Sequence, residues 1–241
     1  MSFRMQDRRI DKAMLHNVEI RGAYLTNVAI SGELENVTVN GVDIGPLVQA
    51  ELDRREPQRK LLRATTPAGL REAWNVVEAR WAATVARART LDESLLHESV
   101  DGEWSFIETQ RHLLYATDIW VRRVLQGDPA PFHPLDLPYD EAADAPGVPR
   151  DRNVRPSLDE VLALRRDRMD GVRQVLDGLT GDYLTSSTTP VEGPGWPPAD
   201  SYPVLECLQT VLNEEWCHRD YAERDLGVLT ADRGPDHRPA A

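Results

Sequence analysis

The stretch Leu212-Asn-Glu-Glu-Trp-Cys-His-Arg219 sets a carboxylate and an imidazole four residues apart in a helical pattern running from about Val204 to Leu229. Residues i and i+4 lie one above the other on a helix face, so Glu214 and His218 converge on one point. A second histidine, His112, sits in an earlier amphipathic segment, Ser105-Phe-Ile-Glu-Thr-Gln-Arg-His-Leu-Leu-Tyr115. If these two helices pack together, the three side chains form a His/Glu/His set with room for a fourth, exchangeable ligand. Two imidazoles and one carboxylate suit catalytic zinc and some other divalent metals. The same spacing also occurs on solvated helix faces, where it binds nothing.

Two more helices complete the pattern. Thr66-Pro-Ala-Gly-Leu70 opens the first of the set, with Thr66 as N-cap and Pro67 at the first helical position. Leu70, Trp74, Val77, Trp81 and Val85 follow at steps of three and four, which marks one buried side. The segment around His112 predicts a helix from about Ser105 to Leu125, and a proline-rich loop (Pro129 to Pro149) follows it. Ser157-Leu-Asp-Glu160 fits a capping box and starts a helix that continues to about Leu179. Val191-Glu-Gly-Pro-Gly-Trp-Pro-Pro198 leads into the last helix. Four helices joined by loops predict a mainly α protein whose residues 66–230 form a four-helix bundle, with loops long enough for crossovers. Residues 47–65 are expected as a connecting helix and linker, and residues 1–10 and 231–241 as tails, the latter disordered.

Residues 11–46 follow a different rule. Leu15, Ile20, Leu25 and Ile30 recur every five positions, and after a one-residue slip Leu34, Val39 and Ile44 resume the run. Two positions before each stands a small or β-branched residue, from Ala13 and Val18 to Val37 and Val42. Five matches neither the helical period nor strand alternation. It suits a short-repeat solenoid whose coils turn the central apolar residue inward, with Asn17, Asn27, Asn36 and Asn40 at turns. The segment resembles pentapeptide repeats, which form a square β-solenoid; an irregular β-meander is the alternative. Fewer than two coils do not fold alone, so the segment is expected to dock on the main domain or on a second subunit, and a homodimer follows as one arrangement.

Bulk composition narrows the function. Net charge is −12, from 40 acidic against 28 basic residues, and no arginine block stands out, so nucleic acid is not an expected partner. No run of about 18 apolar residues is present, so no membrane span is expected, and the N-terminus lacks the apolar core of a signal peptide. Cys207 and Cys217 fall in one predicted helix, roughly 15 Å apart along its axis, too far to bridge. A cytoplasmic protein with reduced thiols is expected.

Asp101-Gly-Glu-Trp-Ser-Phe-Ile-Glu-Thr-Gln-Arg-His-Leu113 and Val211-Leu-Asn-Glu-Glu-Trp-Cys-His-Arg219 resemble the two signature segments of the DinB-like superfamily. That resemblance implies a four-helix bundle holding a divalent metal through His112 on the second helix and Glu214 and His218 on the last. Most members carry histidine where this chain has Glu214, and the mycothiol-dependent maleylpyruvate isomerase branch is similar in using His/Glu/His. The resemblance thus implies zinc, with nickel or manganese as alternatives, and a low-molecular-weight thiol that attacks an electrophilic small molecule. The high ratio of arginine to lysine points to a GC-rich genome, compatible with a mycothiol-producing actinobacterium.

Neighbouring residues carry two readings each. Glu108 either accepts the second ring N–H of His112 or is a helix N-terminal carboxylate facing water. Tyr115 either reaches the pocket with its hydroxyl or sits at the core boundary. Cys217 reads as a small buried hydrophobe or as a thiol near the metal, and Glu215 as solvated or paired to Arg219. Trp104, Trp120 and Trp216 are expected to pack the bundle and the pocket wall. His97 and His133 are loop histidines, solvated unless they close over the site. Arg111, Arg122, Arg123 and Arg219 are candidates for a local basic pocket. Three functions fit: a metal-dependent thiol transferase or isomerase, a non-catalytic metal-binding interaction protein, and a metal-dependent hydrolase with Glu108 as its base.

Overall fold

The computed structural model describes residue 10, residues 15–32 and residues 34–231. The expected tails, apart from Ile10 and Ala231, lie outside the described residues, as does Ala13 of the five-residue pattern. The chain divides into two units, Met1–Val48 and Gln49–Ala241.

In the first unit the backbone bends every five residues. Asn17, Gly22, Asn27 and Gly32 have φ of 53°, 61°, 54° and 144°, and after the one-residue slip Asn36 has 52°. Asparagine and glycine adopt this left-handed region at least cost. Strands β1 (Thr38–Val39) and β2 (Val42–Asp43) form an antiparallel hairpin. Its turn, Asn40-Gly41, has φ of 51° and 79°, the type I′ geometry that Asn-Gly favours. Among the described residues this hairpin is the one sheet, and no β-solenoid is formed. The expected inward turn of the central apolar residues is corrected: Leu15, Ile20, Leu25 and Ile30 are exposed over 66–76% of their surface. A solenoid coil encloses its central side chains only when another coil stacks on it, and the described residues supply too few.

The rest of the described chain is mainly helical. Helix α1 (Gly45–Arg55) and a 3₁₀ segment (Pro57–Arg63) lead to α2 (Pro67–Ala88), where the Thr66 hydroxyl accepts from Gly69 N at 3.1 Å and Pro67 opens the helix. Helix α3 (Phe106–Thr117) begins with a capping box between Ser105 and Glu108 and runs into a π-helical turn, Asp118–Leu125. Helix α4 (Leu158–Asp177) has the Ser157/Glu160 capping box, and a short α5 (Gly181–Leu184) precedes α6 (Val204–Ala231). Helices α2 and α3 each pack on both α4 and α6, which closes a four-helix bundle. Leu70, Trp74 and Trp81 from α2 meet Leu113, Val161, Val172, Leu212 and Trp216 in one core. Trp74 and Trp216 are essentially fully buried, the kind of anchor whose truncation costs about 3–5 kcal/mol.

Charged groups cross that core. Arg165 of α4 donates to Glu215 of α6 at 2.6 Å, and both are almost fully buried. Glu215 therefore faces the bundle interior rather than solvent or Arg219, because the Arg165 guanidinium meets it there from α4. The Arg165 Nε also donates to Gln110 of α3 at 3.3 Å, so the pair ties three helices.

The proline-rich loop is ordered by arginines. Arg111 donates to the carbonyls of Leu135, Asp151 and Val154, and Arg123 to those of Pro129, Val191 and Gly193. Arg122 faces Asp118 and Asp128, and Arg219 faces Asp220, Glu223 and Thr84. The expected basic pocket does not form, since these guanidiniums are spent on loop carbonyls and carboxylates. A third anchor is acidic. Arg168 forks onto both oxygens of buried Asp118 at 2.9 Å, and Asp118 faces buried Asp136 from the loop. Asp136 Oδ2 accepts from His133 N at 3.0 Å, while Oδ1 has no partner when ionised. Burial and the neighbouring Asp118 charge push the Asp136 carboxyl up to about 8, so a proton resides between the two aspartates.

Two outcomes follow. The folded state binds the Asp136 proton from its unfolded value of 3.8 up to about 8, so this group's contribution to stability is fully present at low pH. It falls as pH rises through that window. Denaturant midpoints measured from pH 5 to pH 8.5 should decline, and Asp136→Asn should flatten the decline; an equal slope in both proteins contradicts the assignment. Arg165→Met, which strands the Glu215 charge, should cost about 3–5 kcal/mol in urea unfolding. The double variant Arg165→Met/Glu215→Leu should recover most of that loss, and a single variant within about 1 kcal/mol of wild type contradicts a buried pair.

Candidate metal centre

His112 projects from α3, and Glu214 and His218 project from α6 one turn apart, so the packing of these two helices sets their meeting. Glu214 Oε2 lies 3.4 Å from His112 Nε2 and 3.1 Å from His218 Nε2. One ligand atom from each of the three residues falls within 4.8 Å of the others, and the imidazole centroids are 4.7 Å apart. A cation bonded at about 2.0–2.1 Å to tetrahedral ligands sets them about 3.4 Å apart, so these separations fit one shared ion.

The protonation of His112 is set from behind. Its Nδ1 lies 3.0 Å from the carbonyl of Leu137. A carbonyl only accepts, so Nδ1 carries the proton and Nε2 turns a lone pair toward the cluster. Burial also lowers the His112 pKa, which favours the neutral ring a metal requires. The carbonyl is itself held in place: Leu137 N donates to Arg111 O at 3.2 Å, and Arg111 Nε donates to Leu135 O at 2.8 Å. Glu214 is mostly enclosed. Burial alone raises its carboxyl, yet the two imidazoles that face it, His112 and His218, outweigh this and hold it well below the usual carboxylate range. The arrangement is an anionic oxygen between two imidazole nitrogens, a donor set for a borderline divalent cation.

Aromatic walls bound the cluster. The Trp104 ring lies 4.4 Å from His112 and stacks on His218 at 5.7 Å, and its Nε1 donates to Asp140 at 3.2 Å. Tyr221 meets His218 edge-on at 5.8 Å. His112 is buried, whereas Glu214 and His218 retain partial exposure, so the cluster opens on the α6 side.

The neighbours resolve as follows. Glu108 does not reach His112; its carboxylate accepts from Ser105 N at 2.9 Å and closes the capping box of α3. The Leu137 carbonyl takes the place expected for it. Tyr115 is buried with its ring 6.3 Å from that of His112, and burial pushes its hydroxyl up to about 12. It lines a cavity of about 100 Å³ with Tyr139, Arg150 and Trp196. The Cys217 thiol donates to Asn213 at 3.6 Å and is not a member of the cluster. Neither His97 nor His133 joins it; His133 Nδ1 accepts from Leu135 N in the loop. Among the described residues, no helix is long and apolar enough to cross a membrane.

Known proteins give one positive comparison. The pattern of a DinB superfamily domain matches residues 76–222, more than half of the chain, and includes all three clustered side chains. No curated protein and no solved structure shows significant similarity. The chain belongs to the DinB superfamily.

Proposed function

We propose that this protein is a metal-dependent enzyme that uses a low-molecular-weight thiol of the mycothiol type to attack an electrophilic small molecule, as a transferase or isomerase. The observation that carries the reading is the convergence of His112, Glu214 and His218 within 4.8 Å. His112 Nε2, His218 Nε2 and a Glu214 oxygen would hold a divalent cation, with zinc favoured by two borderline nitrogens and nickel or manganese as alternatives. Such a cation, with one position left to an exogenous ligand, lowers the pKa of a thiol placed there enough to make it nucleophilic at neutral pH.

The chain's own residues serve the same end. Leu137 fixes the His112 tautomer through its carbonyl, and Trp104 covers the two imidazoles on one side, excluding water there. Tyr115 stands between the cluster and the cavity that it lines with Tyr139 and Trp196, whose aromatic surfaces suit a planar substrate. Glu108 is committed to the N-cap of α3, and with it the base that the hydrolase reading invoked. That favours the thiol over water as the nucleophile. Cys207 and Cys217 are both thiols, which agrees with a reducing, cytoplasmic setting.

Elemental analysis of protein purified without chelators should find one divalent metal per chain, and assays with mycothiol or glutathione plus an electrophile should show saturable S-conjugation. His112→Ala should lose the metal and more activity than the roughly 10–100-fold typical of residues that only orient a ligand. Metal-free protein that still conjugates, or metal-loaded protein that ignores every thiol, overturns the reading. The latter result would leave a metal-binding interaction protein.

A further inference from the structure

Twelve of the sixteen large apolar side chains that are exposed among the described residues fall between Ile10 and Val48. Within 15–32, Leu15, Val18, Ile20, Leu25, Val28 and Ile30 are each more than half exposed, and Tyr24 is exposed over 92% of its surface. Soluble monomers rarely carry so dense an apolar surface. The same stretch holds two charged residues, Glu19 and Arg21, and they pair with each other at 2.7 Å. It is therefore neutral in a chain of net charge −12. Its backbone is open as well: among the described residues, no backbone hydrogen bond joins 15–32 to the rest of its own unit. Such groups take water or a partner.

The pitch identifies the partner. Positive φ at positions 17, 22, 27 and 32 repeats one bend after every five residues, so apolar side chains and backbone amides recur at that spacing. An ordinary strand alternates every two residues and a helix every 3.6, so either falls out of step within one repeat. A surface of matching pitch, apolar and uncharged, is available on a second copy of this chain. Neutrality removes the repulsion that two acidic proteins otherwise impose on contact. A stable homodimer covers on the order of 800 Å² per partner, the scale offered by the seven large apolar side chains of 15–32, which are exposed over 57–92% of their surface.

We propose that residues 15–32 form a homodimer interface, in which the segment of one copy stacks on the same segment of its partner. The contact covers Leu15, Ile20, Leu25 and Ile30 and pairs backbone amides for which the described residues of the unit supply no backbone partner. It is isologous, as two-fold assemblies are, and it is independent of the metal centre.

Full-length protein tests this by light scattering across a range of concentrations, combined with amide hydrogen exchange. The expected result is a mass twice 27.1 kDa, with amides of 15–32 protected in step with the dimer and losing protection on dilution. Ile20→Glu/Leu25→Glu should run as a monomer, exchange freely over 15–32 and keep its helical circular dichroism. A wild-type monomer at every concentration overturns the proposal, whether its segment exchanges freely or is covered by another part of the chain or by another protein. A dimer that survives the double substitution, or whose 15–32 amides stay unprotected, overturns it too. If the double variant loses helicity, the wild-type exchange against concentration decides alone.

Discussion

His112 and Glu214 sit on different helices, and the 3.4 Å between their facing atoms exists only while α3 and α6 keep one axial register. One helical residue advances the chain by about 1.5 Å, so a slip of a single residue takes the carboxylate out of range. Several buried features hold that register. Trp216, next to the ligand pair on α6, fills the core, and Arg165 ties Glu215 of α6 to Gln110 of α3 through hydrogen bonds on one guanidinium. These contacts are costly to break, since each leaves a polar group buried without a partner. The bundle thus holds the site by interlocking charge as well as by apolar packing.

A second constraint acts from the loop between α3 and α4. Its prolines forbid a regular ladder, and its carbonyls are satisfied by Arg111 and Arg123 reaching out of α3 and its π-helical extension. A π-helical turn widens the backbone and re-aims the side chains beyond it. The loop then returns one carbonyl, that of Leu137, to His112. Sequence, loop order and imidazole tautomer are linked in a single chain of hydrogen bonds, and the Asp118–Asp136–Arg168 cluster anchors the same loop a residue away.

The helices were legible because their ends are chemically marked: Thr66-Pro67 and Ser157-to-Glu160 are capping sequences, and the apolar steps between them have one period. The three-residue cluster was legible from spacing on one helix and from the signature segments. What escaped was backbone chemistry. A carbonyl such as that of Leu137 has no side-chain identity, so nothing in the sequence marks it as the partner of His112. Glu108 was assignable in principle, since Ser105-Phe-Ile-Glu108 is itself a capping box, and a carboxylate three residues from a serine N-cap has a closer donor than one four residues from an imidazole. Arg111, Arg122, Arg123 and Arg219 read as a local basic pocket because charge alone does not reveal that carbonyls and carboxylates will consume it. Residues 15–32 show the limit of periodicity: the bends fall at the expected asparagines, while enclosure depends on stacked neighbours that a period does not reveal.

The central claim is that two helices offer one cation two imidazoles and a carboxylate and leave a position for a thiol. X-ray absorption at the metal edge of protein loaded one-to-one with zinc tests it most directly. The account predicts nitrogen and oxygen neighbours at about 2.0–2.2 Å, including two imidazoles, with sulfur at about 2.3 Å entering only when a small thiol is added. Sulfur in the thiol-free protein, or a spectrum that His112→Ala leaves unchanged, would contradict it.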